Sequence, residues 1–169
     1  MRITEVALED IKPYEGRTVV PIEDGVTAIL GENGAGKSTI QEAIGLALFD
    51  SLPFDKKDFV REGANSGTVE VTFEQDTQQG TEQFRVRRSI NRSTDGVHRY
   101  DAESGEWIDL DIDSVGEVVR WLCNRFGVED DDELESLWKS CTGVPQTRFL
   151  SDFAGTWKER KNTFEGGRE

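Results

Sequence analysis

The stretch Gly31-Glu32-Asn33-Gly34-Ala35-Gly36-Lys37-Ser38-Thr39 constrains this chain more than any other. Its spacing is G-x-x-x-x-G-K-[ST], which demands a strand before it, a helix after it and an anion between them. The glycines lack the Cβ that would keep a backbone from closing on a phosphate. Successive amides from Gly34 to Ser38 then point inward, and the new helix adds the positive end of its dipole. In such a loop Lys37 reaches the β- and γ-phosphates of a nucleotide, and the Ser38 hydroxyl ligates Mg²⁺. Asn33, Gly34, Ala35, Gly36 and Thr39 complete the cradle. The flanks agree with the motif. Val26-Thr27-Ala28-Ile29-Leu30 is short, apolar and partly β-branched, and reads as a buried strand. Ile40, Ala43, Ile44, Ala47 and Leu48 recur at helical spacing behind the loop.

A chain of 169 residues has room for one core and a small subdomain. It carries 34 Asp and Glu against 20 Lys and Arg, a net charge of −14. That balance ordinarily argues against nucleic acid and anionic membrane as partners. Here the acids are scattered along the whole length, Arg outnumbers Lys and aliphatic content is modest. That resembles the composition of proteins from salt-loving archaea, and on that reading the charge reports the solvent and not the partner. No apolar run approaches a membrane span, and Met1 to Glu5 reads as a strand and not as a leader, so a cytoplasmic location is expected. Cys123 and Cys141 fall on apolar helical faces, where packing is the expected role.

Along the chain, Ile3, Val6, Leu8 and Ile11 mark a first strand, Lys12 to Gly16 a turn, and Thr18 to Ile22 an edge strand carrying Pro21. Residues 52–66 read as a polar crossover loop. Beyond it Val69, Val71 and Phe73 alternate with polar residues, and Phe84, Val86 and Ile90 mark the next strand. A further pair lies around Val97 to Tyr100 and Trp107 to Leu110; these four strands are expected as an antiparallel flank on the core. Arg85, Arg87, Arg88, Arg92 and Arg99 cluster on that flank, where they either meet DNA phosphates or pair with nearby acids. Ser114-x-x-Glu117 is a capping box opening a helix with Val115, Val118, Val119, Leu122, Cys123 and Phe126 on one face, closed by Gly127. Asp130 to Glu133 load the start of another helix, which suits its dipole.

A phosphate loop so near the start, behind two strands in hairpin order, resembles the ABC-type ATPase heads of the SMC family, and looks most like the SbcC-type ATPases that partner a nuclease in double-strand-break repair. The resemblance rests on Met1-Arg2-Ile3 to Ile11-Lys12, the phosphate loop, Arg61-Glu62-Gly63-Ala64 leading into Thr68 to Phe73, and Val144-Pro145-Gln146 to Phe149-Leu150 followed by Lys158-Glu159-Arg160-Lys161 and Phe164. It implies an α/β fold of the P-loop NTPase, ABC-ATPase type: a mixed sheet with an antiparallel β flank, as the N-terminal lobe only. Residues 1–153 would form that lobe and 154–169 the start of a coiled-coil helix. It implies ATP and Mg²⁺ as cofactors. Gln146 would be the Q-loop glutamine beside Mg²⁺ and the attacking water, Lys12 would reach toward the γ-phosphate, and the loop at Gly63 would pass the base or ribose. Gln146 suits its role physically, since a neutral amide offers an acceptor to the metal and donors to water or phosphate. The chain departs from the family where Pro13 follows the basic residue and Thr147 follows the glutamine.

A complete head also needs an apolar strand ending in Asp-Glu, a serine-glycine-glycine signature and a switch histidine. Asp132-Glu133 follows acids, Gly166-Gly167 lacks its serine, and His98 lies among strands. The chain thus reads as the N-terminal half of a head, nearly inactive alone. The resemblance implies as partners the C-terminal half of the same head, a second copy joined through ATP, DNA, and a nuclease or kleisin-like protein, with no membrane. A transporter ATPase subunit and a non-hydrolysing nucleotide-gated tether share the loop and are the alternative classes.

Overall fold

The computed structural model describes residues 1–77, 80–92 and 94–142. The expected Q-loop with Gln146 and the charged tail from Trp157 lie outside the described residues. β1 (Arg2–Ile11) and β2 (Tyr14–Pro21) form a hairpin, and after the phosphate loop comes helix α1 (Lys37–Phe49). A short 3₁₀ turn (Lys56–Phe59) leads to β3 (Gly67–Thr77), β4 (Gly80–Ile90), β5 (Gly96–Asp101) and β6 (Glu106–Asp109). Helices α2 (Val115–Phe126) and α3 (Asp131–Leu137) follow, with a π-helical turn at Trp138–Thr142.

The strands make one six-stranded sheet in the order β2-β1-β3-β4-β5-β6, every neighbouring pair antiparallel. The last four strands are therefore not an appendage: β3 pairs directly with β1, and the flank is continuous with the opening hairpin. β2 is an edge, with Pro21 at its end, where a missing N–H costs no ladder bond. Register sorts the side chains by their period of two. Val6, Leu8, Val69, Val71, Phe73, Phe84, Val86 and Val97 share one buried face. Phe73 and Phe84 stand directly opposite each other, their rings 5.8 Å apart. Glu70 and Thr72 lie on the other face, opposite Arg87 and Arg85.

α1 packs on the apolar face through Ile40, Ala43, Ala47 and Leu48. α2 is set by the capping box: the Glu117 amide donates to Ser114 Oγ, the Ser114 amide returns to the Glu117 carboxylate, and Gly127 closes the far end. Its Trp121 meets the Phe84 ring edge-on at 5.4 Å. Asp130 caps α3 by accepting from the Glu133 amide at 2.9 Å. Phe49, at the end of α1, lies 4.9 Å from Phe126 and 5.0 Å from Trp138, so α1 is tied to both later helical elements. Cys123 is buried in the same core.

The five flank arginines do not form one patch. Arg88 lies on the apolar face, 3% exposed, bonded to Asp50 and 3.2 Å from Asp95. Arg99, opposite Phe84, shares that face and sits 3.6 Å from Glu82. Arg85 and Arg87 face the other way, beside Glu5 and Glu70 respectively. Strand alternation separates residues that adjacency in the sequence had grouped. Among the described residues, no helix is long and apolar enough to cross a membrane.

Candidate functional site

α1 begins at Lys37, directly after Gly36, whose φ of +89° is left-handed. Gly34 has φ +83°. These two positive angles turn the loop over the helix start. No side chain caps that start, and no acidic residue lies in the first turn. The positive pole of a thirteen-residue helix is thus left to an anion. Ser38 is exposed in the first turn, as a metal-facing hydroxyl should be, while Thr39 is buried and its amide donates to the Gly36 carbonyl at 3.1 Å. Asn33, Gly34 and Ala35 are exposed along the loop. The Lys37 ammonium closes the loop on itself, donating to the carbonyls of Gly31 at 2.8 Å and Glu32 at 2.7 Å.

The tip of the β1–β2 hairpin presses on this loop. A Cβ added at Gly36 would stand 2.6 Å from Pro13 Cγ and 2.9 Å from Tyr14 Cε2. The Tyr14 hydroxyl donates to the Gly36 carbonyl at 3.1 Å, and burial pushes its phenol above the ordinary value. The glycine at 36 is thus required by its neighbours as well as by its angle. Pro13, an oddity in the sequence, has a place here as the tip's contact with the loop.

Lys12 sits at the same tip with φ +44°. Its amide donates to Phe59 O at 3.1 Å, and Arg61 donates to the carbonyls of Lys12 and Pro13. Its ammonium bonds Glu42 on α1 at 2.6 Å and lies 4.0 Å above the Phe54 ring and 5.2 Å from Phe59. The region expected as a polar crossover therefore buries Phe59 and packs it with Phe54, rings 5.7 Å apart, beneath the lysine. Gly63 stands in an exposed turn at φ +87°, two residues past Arg61. The structure thus brings the backbone of Lys12 beside the loop and the start of α1, while its ammonium lies farther along α1 with Glu42.

One expectation fails. Val26 to Leu30 is not a strand: Val26 is 97% exposed and Leu30 90%. Among the described residues the sheet ends at β2, and no strand lies alongside this segment to supply ladder bonds or cover its side chains. The apolar pattern is present without the neighbours that make it a buried strand. Conversely, Tyr14, Glu42 and Arg61 carry the local geometry, in roles that the sequence does not assign to them. Their partners lie 22, 30 and 49 positions away, so no local pattern marks them.

The AAA domain family profile matches residues 5–149. Among characterised relatives, the chain is 28% identical to the DNA double-strand break repair Rad50 ATPase of Methanopyrus kandleri, across 94% of this chain and 18% of that protein. It is 36% identical to the Rad50 ATPase of Thermoplasma acidophilum, across 71% of this chain and 12% of that protein. The chain thus spans less than a fifth of the length of either relative. A solved structure from work on the ATP-driven dimerization and DNA-stimulated activation of SMC ATPases superposes with a TM-score of 0.65 at 19% identity, covering 98% of each chain. The recombination mediator protein RecF, solved with ATP, superposes at 0.50 with 18% identity over 70% of this chain and 29% of that one. These two likenesses establish the fold, an α/β P-loop arrangement of ABC-ATPase type.

Proposed function

The chain belongs to the AAA domain family, and on that premise we propose that it is the ATP-binding part of an SMC-like ATPase head acting in DNA double-strand-break repair or chromosome maintenance. The observation that carries this reading is the uncapped start of α1 beneath a loop with two left-handed glycines. Backbone amides and the helix pole receive the phosphates, and Lys37 exchanges its two loop carbonyls for phosphate oxygens. Mg²⁺, arriving with the nucleotide, would neutralise phosphate charge, held by Ser38 and Gln146. Ser38 suits that role, with its hydroxyl exposed in the first turn of α1, where no acidic residue stands.

Residues 1–153 form the lobe, and 154–169 open a coiled-coil helix. The exposed Val26 to Leu30 segment then takes its sheet neighbours from the C-terminal half of the same head. ATP joins two such heads, with DNA and a nuclease or kleisin-like protein as further partners, in the cytoplasm. The Asp-Glu strand and signature loop that complete hydrolysis come from outside these 169 residues, so this chain alone turns over little ATP.

Titration with a fluorescent ATP analogue tests the site. Lys37→Ala is expected to weaken binding at least about tenfold, the scale of one lost charge-assisted contact to phosphate. Equal affinity in Lys37→Ala and wild type would sink the reading.

A further inference from the structure

The backbone of Lys12 stands beside the phosphate loop, since its neighbour Pro13 touches Gly36. Its ammonium does not. It is drawn along α1 to Glu42, five residues past Lys37, which is about 7 Å down the helix from the phosphate-facing end at 1.5 Å per residue. The hold on it is elaborate. Glu42 contacts it at 2.6 Å, Phe54 offers a ring face at 4.0 Å, and Phe59 stands at 5.2 Å. The backbone is fixed from both sides by the Phe59 carbonyl and by Arg61. It also adopts a left-handed angle, which a side-chain-bearing residue keeps only when its surroundings impose it. A solvent-facing lysine needs none of this.

We propose that Glu42 is a positioning residue for Lys12. It latches the ammonium against α1 and yields it to a nucleotide that carries a γ-phosphate, so that the Lys12–Glu42 pair sets the preference for tri- over diphosphate. The inference rests on the phosphate site proposed above and on the expected reach of Lys12; the role of Glu42 comes from the geometry alone. A diphosphate lacks the charge that draws Lys12 off its carboxylate, so the latch stays shut. A triphosphate must outcompete Glu42 for the same ammonium, and part of its binding free energy is spent in doing so.

The test measures the affinities of fluorescent ATP and ADP analogues for wild type, Glu42→Gln, Lys12→Met and the double variant, with thermal melts alongside. Glu42→Gln keeps the shape and removes the charge. It is expected to raise the ratio of ATP to ADP affinity about three- to tenfold, the scale of one partly screened ion pair. In the double variant that gain disappears, because no ammonium is left to release. A Glu42→Gln ratio equal to or below wild type overturns the latch, and so does a gain that persists without Lys12. If wild type binds neither nucleotide, or Lys37→Ala binds both as well as wild type does, the phosphate site itself fails and the latch with it. A general structural role for Glu42 would move the melting temperature or both affinities together, and leave their ratio alone.

Discussion

Replacing Gly36 with alanine measures how tightly the hairpin tip holds the phosphate loop. Two separate costs apply. At φ +89° an L side chain meets the left-handed penalty, about 1–2 kcal/mol. The new methyl would also stand 2.6 Å from Pro13 Cγ and 2.9 Å from Tyr14 Cε2, inside any real van der Waals contact. A rigid pyrrolidine cannot rotate away, so the tip must shift, an overpacking cost of about 1–3 kcal/mol. Together they come to about 2–5 kcal/mol, which for a chain of this size lowers the melting temperature by about 5–15 °C. Gly34→Ala is the internal control. Its φ is +83°, yet nothing lies within 4 Å of the added Cβ, so only the first cost applies. Circular dichroism melts of the two variants isolate the packing term as their difference. Pro13→Ala in the Gly36→Ala background should recover part of it. If Gly36→Ala proves no more destabilising than Gly34→Ala, the hairpin does not brace the loop and the reasoning is wrong.

Other perturbations read different parts of the molecule. Asp95→Ala removes one of the two carboxylates that hold the Arg88 guanidinium where it is 3% exposed, and leaves it to Asp50 alone; this should cost about 1–3 kcal/mol in urea unfolding, more than a surface ion pair is worth. Glu135 sits below its ordinary carboxyl value because Lys139 donates to it at 2.7 Å, with Ser51 adding a second bond at 3.1 Å. The unfolded chain therefore takes up this proton at a higher pH than the folded one. The stabilisation is present above the unfolded value near 4.5 and is lost as pH falls through the folded value. A stability difference between wild type and Glu135→Gln should thus be present at pH 6 and vanish on acidification past that range; a constant difference would refute the assignment.

Much of the architecture was legible because its causes are local. The capping box at Ser114 and Glu117 and the left-handed stop at Gly127 involve residues within a turn of one another. So does the cap of α3 by Asp130, and both helices begin where those residues stand. The phosphate loop is equally local: glycines at 34 and 36 and a helix from Lys37 follow from the spacing itself. Alternation marked the strands and which residues share a face, since a period of two is a property of the chain and not of its neighbours.

What alternation does not say is which strand lies next to which. The pairing of β3 with β1 joins Val6 to Val71, residues far apart in the sequence, and it makes the four flank strands a continuation of the opening hairpin. That pairing also sent Arg88 inward to Asp50 and Asp95 while Arg87 stayed out, a sorting invisible in a run of basic residues. The cage of Lys12 is the same kind of fact, built from residues 42, 54 and 59 that meet only when the loop after α1 folds under the hairpin. Val26 to Leu30 shows the limit from the other side. Its composition suits a buried strand, but burial and ladder bonds are supplied by neighbours, and among the described residues none is there. The chain's own letters mark the loop where an anion is expected; which side chain holds the Lys12 ammonium depends on contacts between distant segments, because an ion pair is made by position in space and not by position in sequence.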